Sequence, residues 1–131
     1  MLAGACHHAE LWNEMPRQIA SFINMYYPNS ELQAFQSTDK GYYVRIDDGP
    51  GMSFGTDYAW TSLDGYGMPL PQQFLFDQLP APLYRYLVES ENLNAVFSCS
   101  RDARTYTVQL TTSTLSYNTD TETLSGTTPV Q

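Results

Sequence analysis

The stretch Tyr42-Tyr43-Val44-Arg45-Ile46-Asp47-Asp48-Gly49-Pro50-Gly51-Met52-Ser53-Phe54 constrains the fold more than any other. Alternation puts Val44 and Ile46 on one face of a strand, and Met52 and Phe54 answer them beyond a Gly/Pro turn at Asp48 to Gly51. Two strands so joined must pair antiparallel and bury that face. A fainter copy follows in Tyr106-Thr107-Val108-Gln109-Leu110 and Leu115-Ser116-Tyr117. A helical pattern precedes each copy, so the chain predicts a duplication.

The first helix is signalled by Asn13-Glu14-Met15-Pro16. Pro16 suits the first helical position, where its missing N–H would have no partner, and Asn13 or Glu14 can complement that end. Met15, Ile19, Phe22, Ile23 and Tyr26 recur at helical spacing, and Pro28 stops the run. Strands are predicted over Glu31 to Ser37, with Phe35 one step out of phase with Leu32 and Ala34, then over Tyr42 to Asp47, Met52 to Gly55 and Tyr58 to Leu63. Asp64-Gly65-Tyr66-Gly67 closes the unit. The pattern then restarts with a short helix over Gln72 to Gln78, Phe74 and Leu75 inward. Leu79, Leu83, Tyr86 and Leu87 repeat the register of Met15, Ile19, Phe22 and Ile23, with Pro80 matching Pro16. Leu93 to Val96 is predicted as the next strand, Ser100 to Arg104 as a turn, and the Thr/Ser-rich end as edge strands around Val108, Leu115 and Leu124. The resulting class is α+β, each repeat one long helix and about four antiparallel strands. Residues 12–67 form the first repeat and 68–126 the second, together one compact domain, with loose ends at 1–11 and 127–131.

Fourteen acidic residues against six basic ones give a net charge of −8. Nucleic-acid affinity needs Lys and Arg to neutralise phosphates, so that class of partner is excluded, as is a basic membrane-surface patch. No segment reads as a membrane span. Met1 to Cys6 is small and apolar. It reads either as the tail of a lipoprotein signal, with Cys6 the lipidated residue and a lipid anchor to follow, or as a trimmed or coincidental sequence. Cys99 falls in a predicted strand as a small buried hydrophobe.

The run Met15-Pro16-x-x-Ile19-x-x-Phe22-Ile23-x-x-Tyr26-Tyr27-Pro28, then Gly41 to Gly49, then Met52-x-Phe54-x-x-Asp57-x-x-Trp60, resembles a PepSY-like family of secreted Bacteroides-type proteins. Leu63-Asp64-Gly65 fits that family's closing element. The likeness spans roughly residues 12 to 126. It departs at the lengthened Gly49-Pro50-Gly51 turn and at Thr111 to Thr114. It implies a β-lactamase-inhibitor-like two-layer sandwich, with helices packed on the sheet, in a periplasmic or secreted protein.

No nucleophile–base pair is visible, because His7 and His8 lie at the chain's start. Their adjacency also argues against a metal site, and no cofactor motif is present. Asp47, Asp48, Asp57 and Asp64 could supply a carboxylate pair or a calcium site, but each stands where a turn wants Asp. The better candidates are exposed aromatics: Tyr43, which faces away from Val44 and Ile46, and Tyr58, Trp60 and Tyr66. For Trp60, core packing is favoured. The expected function is non-enzymatic: an envelope protein, monomer or weak dimer, that binds or inhibits a protein or peptide partner. The alternatives are a small-ligand or carbohydrate module and, ranked lower, a carboxylate-based hydrolase.

Overall fold

The computed structural model describes residues 12–127. Helices α1 (Arg17–Tyr26), α2 (Gln72–Gln78) and α3 (Ala81–Glu89) accompany eight strands in that range. The strands are β1 (Leu32–Thr38), β2 (Gly41–Ile46), β3 (Gly51–Phe54), β4 (Trp60–Asp64), β5 (Ser98–Arg101), β6 (Thr105–Gln109), β7 (Thr114–Asn118) and β8 (Thr123–Thr127). The chain divides into two compact units, the first ending at Thr61 and the second beginning at Ser62, so β4 starts in one and finishes in the other. Within each unit, strands adjacent in sequence pair antiparallel.

In the first unit the hairpin pairs as the alternation predicts, Val44 opposite Met52 and Tyr42 opposite Phe54. Ile19 and Ile23 of α1 are fully buried, as are Val44 and Ile46. Burying each such side chain contributes about 1.5–3 kcal/mol. Phe22 meets Phe54 edge to face at 5.3 Å, which joins α1 to β3. The phase slip in β1 is a β-bulge. Leu32 pairs with Ile46 but Ala34 with Arg45, leaving Gln33 as the extra residue. The bulge brings Leu32 and Phe35, three apart, to one face. It is held by Gln33, whose amide donates to the Asp48 carboxylate at 2.6 Å and accepts from the Asp48 N–H.

The turn after β2 differs from its prediction. Its left-handed residues are Asp47 (φ 52°) and Asp48 (φ 54°), with the Gly49 N–H closing on the Ile46 carbonyl at 2.9 Å. Positive φ at both central positions matches the strand twist, and aspartate tolerates it through local hydrogen bonds. Gly51 instead makes room for a side chain. The Tyr43 ring lies over it, and an added Cβ would sit 2.7 Å from the Tyr43 hydroxyl.

Each of α1, α2 and α3 begins on a prolyl N-cap. Pro16 (φ −55°, ψ 140°) and Pro80 (φ −57°, ψ 144°) share one geometry, and Pro71 is similar. Pro16 therefore stands one position before the first helical residue, not on it. Its carbonyl accepts from Ala20 at 3.0 Å, and no side chain of Asn13 or Glu14 caps the end.

In the second unit Phe74, Leu75, Leu83 and Leu87 are fully buried, while Tyr86 is exposed, unlike Phe22 at the matching position of α1. The strand predicted at Leu93 to Val96 is absent. Asn92 to Ala95 turns, with Glu91 left-handed, and the Val96 carbonyl takes the Leu70 N–H at 2.7 Å. Pairing starts later, at Ser98, so the turn predicted from Ser100 begins at Asp102. That carboxylate accepts from Arg104 and Thr105, both at 2.9 Å. Those bonds hold it below the usual carboxylate range. The Thr/Ser-rich end is ordered as β7 and β8 in full register.

Candidate binding surfaces

The four aromatics singled out from sequence do not assemble into one surface. Tyr58 is left-handed (φ 71°) and sits in the turn before β4, its ring 5.5 Å from Tyr42. Tyr42 stacks in turn on Phe35 at 5.9 Å, on the Val44 side of β2. A hydrogen bond with Tyr58 pushes the Tyr42 hydroxyl up, with burial adding to it. Tyr43 lies on the opposite side, across from Ser53. It lines a shallow depression of about 250 Å³ with Lys40, Tyr42 and Phe54. Trp60 is 3% exposed and belongs to the core. Tyr66 is open, in the second unit, its N–H bonded to Asp64 at 2.8 Å. Cys6 lies outside the described residues.

The four aspartates serve turns or strand ends. Asp47 accepts from the Glu31 N–H at 2.8 Å and Asp57 from the Ala59 N–H at 3.1 Å, while Asp48 holds Gln33 and Asp64 holds the Tyr66 N–H. Cys99 is a free thiol 2% exposed. Burial pushes it up to about 12 from 9.0, the Arg101 charge offsetting a little. The fold thus keeps a proton that the unfolded chain releases near 9.0. The Cys99 contribution is complete below that pH and disappears as pH climbs towards 12, a loss of roughly 4 kcal/mol at most. Alkaline titration of Cys99→Ala should show a shallower loss of stability than the parent. Peptide mapping after thiol labelling at pH 8 should find Cys99 modified only as fast as the protein unfolds. Rapid modification of the native protein would contradict its burial.

Sequence reasoning missed a groove on the second unit's helices. Phe76, Leu79, Ala81, Tyr84, Arg85 and Val88 line about 390 Å³, with Phe76 and Tyr84 edge to face at 5.4 Å. Helix α3 has two stripes. Leu83 and Leu87 are buried, whereas Ala81, Tyr84, Arg85 and Val88, at i, i+3, i+4 and i+7, front the groove. That second spacing was the available signal. Phe76 is 62% exposed and Val88 47%. With Tyr66, Met68 and Tyr86 they make five of the six large exposed hydrophobics among the described residues, all between 66 and 88.

The second unit also has a polar sheet face. Ser62, Ser100, Thr107, Ser116 and Ser125 form one row of hydroxyls across five strands. Asp64, Ser98, Gln109 and Thr114 form the next.

This fold has been seen in crystals. A proposed calcium-regulated periplasmic protein of Bacteroides thetaiotaomicron superposes with a TM-score of 0.71 at 21% identity, covering 87% of this chain and 90% of that one. A proposed periplasmic protein of the DUF2874 family from Bacteroides vulgatus gives 0.70 at 18%, with 87% and 90% covered. A third, from Bacteroides vulgatus and of unknown function, gives 0.68 at 16%, with 86% and 93% covered. No family model and no curated protein sequence matches the chain. At these identities the likeness is one of fold. No helix among the described residues is long and apolar enough to cross a membrane.

Proposed function

We propose that this is a non-enzymatic protein of the bacterial cell envelope that binds, or inhibits by binding, a protein or peptide partner. The observation that carries the reading is the concentration of large exposed apolar side chains between residues 66 and 88. Large apolar side chains left in water favour a partner that covers them, and aromatic anchors are favoured where proteins meet. The periplasmic names of the structural neighbours support the location. Calcium regulation is part of the name of one structural neighbour. Among the described residues no group of three carboxylate, His or Cys side chains could share an ion. The reading includes the duplicated, two-layer β-lactamase-inhibitor-like organisation, which the matching buried pairs Ile19 and Ile23 of α1 and Leu83 and Leu87 of α3 support.

Affinity capture from an envelope extract of the native organism tests it. A partner should be retained by the folded protein and displaced by excess untagged protein, and retention no better than on an unrelated acidic domain would contradict the reading. The polar row from Ser62 to Ser125 favours a second reading, carbohydrate binding, since hydroxyl rows match the hydrogen bonding of sugars. A thermal-shift screen of glycans and peptidoglycan fragments separates the two. A ligand that binds only the folded state raises the melting temperature, and under the partner reading none of these should.

A further inference from the structure

Resting on the partner-binding reading, we infer that the groove between α2 and α3 docks an amphipathic helix of the partner protein. The helix seats apolar anchors between Phe76 and Val88 and sets an acidic side chain against Arg85. Three observations carry this. The groove is walled by side chains of two short helices and the residue that links them, and no strand lines it. An extended peptide would find no sheet edge there to join, so recognition must come from side chains. Ala81, Tyr84, Arg85 and Val88 are spaced at i, i+3, i+4 and i+7 along α3, the ridge that a second helix packs against. Finally, Arg85 is one of only six basic residues in a chain of net charge −8, yet it has no ion-pair partner among the described residues. A lone cation on an apolar wall selects a carboxylate beside the anchors, and a guanidinium accepts one in paired geometry.

Selection from a displayed library of helical peptides, with the whole protein as bait, tests the inference. Enriched sequences should carry apolar residues at helical spacing with Asp or Glu next to them. Measured by fluorescence anisotropy, the selected peptides should bind Phe76→Ser about tenfold more weakly or worse. Arg85→Glu should cost about five- to tenfold, and replacing the peptide's acidic residue with Lys should recover most of that loss. Both side chains are exposed, so unchanged melting curves confirm that the variants are folded. Peptides that bind both variants as well as the parent would overturn the groove assignment while leaving a binding role elsewhere. Failure to enrich any helical peptide would overturn the assignment outright, and capture from envelope extract would then decide the broader reading.

Discussion

Gly41→Ala should cost about 3 kcal/mol or more, lowering the melting temperature by roughly 10 °C. Gly41 closes the β1–β2 turn opposite Thr38 with φ +145°, a conformation that L side chains rarely adopt. A Cβ there would stand 2.0 Å from the Phe54 carbonyl oxygen and 3.0 Å from the Gly55 Cα. Both are backbone atoms at the end of β3 and just beyond it, so no side-chain rotation relieves the clash. The hairpin must open or β3 must shift, and either movement disturbs the Tyr42–Phe54 pair and the buried Val44–Met52 pair. Gly49→Ala is the control. Its nearest neighbour is the Asp47 carbonyl at 3.6 Å, an ordinary contact, and it should change stability by no more than about 0.5 kcal/mol. Urea denaturation of both variants gives the comparison. Equal midpoints would mean that the turn is not built as described.

The second large effect separates two phenylalanines on one short helix. Phe74 is fully buried, so Phe74→Ala should lose about 3–5 kcal/mol through transfer and cavity terms together. Phe76, two residues on and 62% exposed, should be nearly silent in Phe76→Ala, within about 0.5 kcal/mol. The contrast bears on function. An exposed phenylalanine that contributes little to folding is free to serve a contact, and the binding experiments can then use its variants without a folding penalty. A large loss on Phe76→Ala would place its ring in the core and remove the groove.

Local patterns made much of the fold legible. The opposition of Val44 to Met52, the extent of α2, and the burial of Ile19, Ile23 and Leu83 all follow from alternation or helical spacing. Even the slip between Ala34 and Phe35 was visible, though only the register with β2 shows it as a bulge at Gln33. The misses have tertiary causes. Leu93 to Val96 has a strand's composition, but the Asn92 turn and the bond from Leu70 take its backbone groups before a ladder can form. Asp47 and Asp48 looked like flanks of a glycine turn, yet their side chains reach Glu31 and Gln33, which lie in sequence sixteen and fifteen residues away.

The candidate site was less legible. Aromatic residues marked Tyr43, Tyr58 and Trp60 for attention, but strand parity and burial distribute them over two faces and the core. The groove joins a side chain of α2 to a second stripe of α3. Nothing in the pattern of either helix alone shows that Phe76 and Tyr84 meet.

Hydrogen exchange on the protein, alone and with the partner recovered by capture, tests the central claim most directly. Slowed exchange should concentrate in residues 72 to 89, the helices α2 and α3, with the hairpin from Gly41 to Phe54 unchanged. Protection confined to the strands, or none on either helix, would contradict the account.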